Sequence, residues 1–176
     1  RIMEIIRQAQ AQMRALGSRQ WQDGYPARAD IDRDIARGYG YVFEKSDAAE
    51  NPAAAETPQK YDKGTVPGGV IAYGAVVFDG EPAYGAIDGA WLTGGDYVVL
   101  HRLAVADGEK GRGVAAEFMR RTEALARGRG VGSFRVDTNF DNRYMLRMLE
   151  RLRFAYCGKI IYESGERLAF EKPFEA

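Results

Sequence analysis

From Tyr97 to Val105 the chain is strand-like and rich in β-branched residues; it then turns through a loop carrying Gly111 and Gly113 and opens at once onto an apolar pattern with helical spacing. A strand, a short glycine loop and an amphipathic helix in direct succession require the helix to lie back on the sheet that holds the strand. The apolar face of that helix is Val114, Ala115, Phe118, Met119, Leu125 and Ala126, with Glu117, Arg120, Arg121 and Glu123 opposite. Its N-terminus then stands at the C-terminal edge of the strand, where open sheets commonly bind ligands.

Such a loop suits phosphate. Gly111 and Gly113 can turn without a Cβ penalty, the first amides of the helix are unpaired donors at the positive end of its dipole, and Lys110 and Arg112 add mobile positive charge. Glycine spacing alone fits a plain turn equally well. The loop lacks the Gly-Lys-Ser/Thr ending of a Walker A sequence, and Ala115 and Ala116 stand where a dinucleotide fingerprint would place its later glycine. Nucleoside triphosphate and dinucleotide binding are therefore disfavoured.

Lys+Arg and Asp+Glu are equal at 25 each, so no global field recruits nucleic acid or an anionic membrane, and any anion site is local. A single cysteine, Cys157, excludes an internal disulfide, and a single histidine, His101, removes the usual histidine-rich metal sites; no metal is expected. Reducing cytoplasm is the expected compartment. No apolar run approaches the roughly 20 residues of a membrane helix. A chain of 176 residues, 45% hydrophobic, can bury one sizeable core, and one domain over 1–176 is expected.

Periodicity predicts helices over 2–16, where Gly17 supplies the stop, between Pro26 and Gly38, over 113–127 and over 141–152. Strands are predicted over 39–44, 70–79, 96–106, 133–137, 156–162 and 167–172. The glycine-rich stretch 85–95, with Trp91 inside it, reads as a loop or crossing segment. Residues 46–68 turn to Ala, Glu, Asp, Pro and Lys with almost no core-forming side chains; a flexible insertion between two strands is expected there.

Lys110-Gly111-Arg112-Gly113-Val114-Ala115 resembles the pyrophosphate loop of the GNAT acyltransferase superfamily, with Lys110 where the family usually has Arg or Gln. Downstream, Asn142 and the run Leu149-Glu150-Arg151-Leu152-Arg153-Phe154 are similar to the family's Asn…Tyr-Glu-Lys-Leu-Gly-Phe segment; Leu149 replaces the tyrosine and Arg153 the glycine. The stretch from Gln20 to Pro26 resembles a segment of some uncharacterised bacterial members. The resemblance implies an α/β (α+β) fold of three layers, α/β/α, around a central mixed, mostly antiparallel sheet. It also implies a short strand upstream of Arg1.

What the resemblance implies chemically is transfer of an acetyl group from acetyl-CoA, as cosubstrate, to a primary amine of a small molecule or peptide. Lys110, Gly111, Arg112, Gly113, Val114 and Ala115 would hold the pyrophosphate; backbone groups of Leu103, Ala104 and Val105 would pair with the pantetheine arm, and one of their N–H groups would stabilise the oxyanion. Asn142 would bond the CoA arm, although as a residue it reads equally well as a helix cap.

Amine transfer needs a base. His101 is the candidate, because imidazole titrates near neutrality and because His101-Arg102-Leu103-Ala104-Val105 resembles the base-bearing strand of serotonin N-acetyltransferases. A lone histidine on a strand is also often a buried structural group. Strand alternation sends His101 and Arg102 to opposite faces. Leu149 cannot protonate the leaving thiolate; Tyr144, Tyr156 and Cys157 are substitutes, and no dedicated acid is obligatory. Trp21, Tyr25, Tyr84, Trp91 and Tyr97 could line an acceptor pocket or fill the core. The alternative is a non-catalytic acyl-CoA-binding or interaction module of the same fold, and edge strands leave room for a homodimer.

Overall fold

The computed structural model describes residues 1–45, 59–60 and 69–174, the pair 59–60 by backbone alone. The insertion expected over 46–68 lies, apart from that pair, outside the described residues. In chain order the elements are α1 (Ile2–Ala15), α2 (Arg28–Ala36), β1 (Gly40–Glu44), β2 (Gln59–Lys60), β3 (Val70–Val77), a 3-10 turn (Pro82–Ala86), β4 (Asp88–Gly89), β5 (Tyr97–Val105), a second 3-10 turn (Asp107–Glu109), α3 (Val114–Gly128), β6 (Ser133–Thr138), α4 (Arg143–Arg151), β7 (Ala155–Tyr162) and β8 (Gly165–Pro173). The four predicted helices and six predicted strands are all present. The stretch read as a loop over 85–95 holds the end of the first 3-10 turn and the two-residue β4.

The chain divides into two compact units, Arg1–Val76 with Arg102–Arg121, and Val77–His101 with Thr122–Ala176. In the first, β1 pairs antiparallel with β2 and with β3. In its core Ile2, Ile5, Ile6 and Ala9 of α1 pack with Ile31, Val42, Val70, Tyr73, Ala104 and Ala106. Phe43 of β1 meets Phe118 of α3 with ring centroids 4.8 Å apart.

In the second unit β5 pairs parallel with β6, but only from Tyr97↔Ser133 to Val99↔Arg135, although β6 runs on to Thr138. The remaining ladders, β6 with β8, β8 with β7 and β7 with β4, are antiparallel. Pairing across the molecule is thus mixed and mostly antiparallel, as expected. Phe134 and Phe154 pack edge to face at 5.2 Å, and Val98, Val99, Leu149, Ile160 and Ala169 of the same unit are buried.

All four helices close with the same hydrogen-bond pair. In α4 the Arg153 amide donates to Glu150 O (3.0 Å) and the Phe154 amide to Leu149 O (2.9 Å). This is the Schellman pattern, which needs a left-handed residue after the cap. Gly17, Gly38 and Gly130 take that position in α1, α2 and α3; in α4 Arg153 does so, at φ 62°.

Regular alternation fails at one place in β5. Arg102 has φ 55°, in the left-handed region, so the pleat is interrupted between His101 and Leu103. Alternation alone therefore does not set the directions of His101 and Arg102: His101 is hydrogen-bonded to Glu81 and Arg102 is ion-paired with Asp34.

Candidate active site

In the first unit, β5 ends at Val105 and the Ala106 amide donates to Ile71 O (2.8 Å), fixing the strand's exit. Leu103 is half-buried, Ala104 and Val105 buried. The loop then holds Gly111 and Gly113 at φ 76° and 84°. A Cβ on either would meet nothing within 4 Å, so it is the backbone conformation that favours glycine there.

The first helical bond of α3 runs from Glu117 N to Gly113 O (2.9 Å), leaving the amides of Val114, Ala115 and Ala116 ahead of the ladder. The loop's cations are held by its own acids. Lys110 Nζ lies 2.5 Å from Asp107 Oδ1, and Arg112 Nη1 lies 3.4 Å from Glu109 Oε2, whose other oxygen accepts from Lys45 Nζ at 3.1 Å. These surface pairs are weak and give way readily to a better anion. Positive φ, open space over both glycines and unladdered amides together fit a pyrophosphate group.

The same unit contains a cluster around Arg102. Its guanidinium grips buried Asp34 with two bonds, Nε to Oδ2 (2.7 Å) and Nη2 to Oδ1 (2.6 Å), while Nη1 donates to the Tyr25 hydroxyl (2.9 Å) and Tyr73 donates to Asp34 Oδ2 (2.8 Å). Burial opposes the charge on Arg102, but the bonds to Asp34 and Tyr25 outweigh it and hold the guanidinium above its ordinary value. Burial, helped by Asp34, pushes the Tyr73 phenol up. Tyr25 is exposed, and Trp21 packs on the hydrophobic core.

The second unit holds His101. Its Nε2 lies 3.0 Å from Glu81 Oε2, and its Nδ1 lies 4.0 Å from Asp137 Oδ1; the three side chains are 17%, 23% and 11% exposed. Glu81 is itself fixed: Oε1 accepts from the Ala83 amide (3.2 Å) at the start of the 3-10 turn, and its own amide donates to the Tyr97 hydroxyl (3.3 Å). Asp137 Oδ1 accepts from Tyr84 (2.7 Å) and Tyr162 (3.3 Å). Burial and the Asp137 charge push both phenols well up, keeping them protonated donors.

The other aromatic candidates have packing partners in this unit. Trp91 and Tyr97 flank Arg135, whose guanidinium carbon lies 4.4 and 3.9 Å from their ring centroids, and Trp91 Nε1 donates to Tyr84 O (2.9 Å). Arg135 Nε donates to Glu171 Oε1 (3.0 Å), a carboxylate that also accepts from Ser133, Thr93 and the amide of Leu92. Asn142 caps α4, accepting from the Met145 amide at 3.2 Å. Tyr144 and Tyr156 are exposed, and burial pushes the Cys157 thiol up. At the end of β6, Thr138 Oγ1 and Asn139 Oδ1 are buried with no hydrogen-bond partner among the described residues.

The structure thus gathers Glu81 and Asp137 beside His101, with Tyr162 bonded to Asp137, none of the three singled out from the sequence. Asp137 had a signal, as an acid at the C-terminal end of a strand. Glu81 had none, because Gly80-Glu81-Pro82 reads as a plain turn. Among the described residues no group of three or more His, Cys, Asp and Glu could hold a metal, and no helix is long and apolar enough to cross a membrane.

The acetyltransferase (GNAT) family model matches residues 39–154. Among solved structures, a GNAT-family acetyltransferase from Streptococcus agalactiae is similar with 34% identity over 99% of this chain and 88% of that one, at a TM-score of 0.78. A GNAT-family acetyltransferase from Listeria monocytogenes is 18% identical over 97% and 86%, with a TM-score of 0.66. The NatC complex is 13% identical over 85% and 82%, with a TM-score of 0.59. No curated protein matches.

Proposed function

Because the chain belongs to the acetyltransferase (GNAT) family, we propose that it transfers the acetyl group of acetyl-CoA to a primary amine of a small molecule or peptide. Acetyl-CoA supplies an activated thioester. Lys110, Gly111, Arg112, Gly113, Val114 and Ala115 would take its pyrophosphate, the backbone of Leu103, Ala104 and Val105 its pantetheine arm, and Asn142 a further contact. The NatC structure, alike in fold, is bound to a peptide and CoA, which supports this choice of donor.

Most alkylamines are protonated at neutral pH and cannot attack. His101, half-buried and hydrogen-bonded to Glu81, is the observation that carries amine transfer beyond the family: it can take a proton from the ammonium group. The free amine then attacks the carbonyl carbon, the C–S bond breaks, and the thiolate takes the surplus proton from the new amide nitrogen. His101 returns its proton to water. An amide N–H from Leu103 to Val105 would stabilise the developing oxyanion, a contribution of about 3–4 kcal/mol for a well-aimed donor.

Leu149, fully buried where the family's tyrosine would stand, favours a second reading, an acyl-CoA-binding module without turnover. Thiol release from acetyl-CoA, followed across a panel of amines once CoA has been shown to raise the melting temperature, separates the two. Amine-dependent release supports transfer. A CoA shift with no release for any amine leaves the binding module.

A further inference from the structure

We propose that Glu81 is a positioning residue that fixes the tautomer of His101, placing the ring proton on Nε2 and leaving Nδ1 as the atom that removes the amine proton. The inference rests on the acetyl-transfer reading above. Its first support is geometric. Glu81 Oε2 stands 3.0 Å from His101 Nε2, and an ionised carboxylate can only accept, so Nε2 must donate. The carboxylate has little freedom to do otherwise, because its second oxygen is engaged by the Ala83 amide and its backbone is held at the Tyr97 hydroxyl.

The second support lies on the other side of the ring. Asp137 is the carboxylate on the Nδ1 side, but at 4.0 Å it is beyond hydrogen-bond reach, and its Oδ1 already accepts from Tyr84 and Tyr162. A carboxylate oxygen offers about two lone-pair sites. Among the described residues no acceptor is bonded to Nδ1, which therefore keeps its lone pair. The two tyrosines hold their own protons, since burial and the Asp137 charge push both phenols up, and they pin the Asp137 oxygen rather than compete for the base.

When Nδ1 takes a proton, the imidazolium lies between two carboxylates, Glu81 bonded at Nε2 and Asp137 facing Nδ1. Only Glu81 is bonded to the ring, and it dictates the ring's orientation. This repeats the division of labour of a base and its orienting acid in hydrolase triads, in which replacing the acid by its amide leaves the wrong tautomer. In Glu81→Gln the amide oxygen can stay on the Ala83 amide, which turns the NH₂ group toward Nε2; the ring must then accept there and move its proton to Nδ1.

Because the chain contains one histidine, long-range ¹H–¹⁵N correlation on labelled protein reads this tautomer directly, without activity. We expect the neutral ring of the wild type to carry its proton on Nε2, and that of Glu81→Gln to move it to Nδ1. Turnover in Glu81→Gln should fall about 10²-fold or more with the KM for acetyl-CoA unchanged, and Glu81→Asp should recover part of it. A wild-type ring protonated on Nδ1 overturns the proposal, as does a Glu81→Gln enzyme with wild-type kcat. Inactivity of the wild type toward every amine would instead remove the acetyl-transfer reading; the tautomer measurement keeps the two failures apart.

Discussion

Glu171 has no exposed side-chain surface, yet its carboxyl is held below the ordinary carboxylate range. Burial opposes its charge, but hydrogen bonds from Thr93, Ser133 and Arg135, with one from the Leu92 amide, outweigh that cost. A folded value below the unfolded one means the stabilisation is complete above about pH 5 and lost as the pH falls through the folded value. Glu171→Gln should therefore flatten the acid limb of a stability-versus-pH curve. It should also destabilise by about 3–5 kcal/mol at neutral pH, since Arg135 is left buried without its anion. A variant whose acid limb matches the wild type would remove the assignment. Arg153 poses the opposite case. A left-handed non-glycine residue costs about 1–2 kcal/mol, more than the extra unfolded-chain entropy of a glycine at about 0.4–1. Arg153→Gly should raise stability by about 0.5–1 kcal/mol, read as a higher Tm; a lower one would mean the Arg153 side chain supplies more than its backbone loses.

At the scale of elements, the helices and long strands were legible because each carries its own period: α1 shows its core face as Ile2, Ile5, Ile6 and Ala9, and α3 buries Phe118, Met119 and Ala126 of its expected face. The strand-loop-helix arrangement around Gly111 and Gly113 was legible for the same local reason. What was not legible depends on partners far away in sequence. Glu81 gains a role only because β5 brings His101 beside it, and the 3-10 turn that fixes it has too few residues to show a period. The break at Arg102 is invisible in a β-branched run because it is held by Asp34, 68 residues away. The loop yields a prediction of its own. A side chain at Gly113 would meet open space in the protein, so a valine there collides with whatever the loop receives, besides carrying strain at φ 84°. Gly113→Val should abolish the thermal shift given by CoA; a folded variant with an undiminished shift would take the pyrophosphate away from this loop.

For the whole molecule, family membership and the α/β fold define what kind of reaction to expect, and in the proposed mechanism the proton goes to His101, which stands beside Glu81 and Asp137. With the charges balanced, the proposed binding of the donor rests on the local loop rather than on a global field, and it should respond to Gly113 far more than to changes elsewhere on the surface. The most direct test of the account is to compare acetyl-CoA turnover on an accepted amine, at neutral pH, between the wild type and His101→Ala, with CoA affinity measured in parallel. We predict a fall of about 10²-fold or more in kcat, partly recovered at higher pH, with CoA affinity nearly unchanged. Full activity of His101→Ala from about pH 6 to 9 would contradict it, making His101 a structural residue and leaving proton removal to water or to the substrate itself.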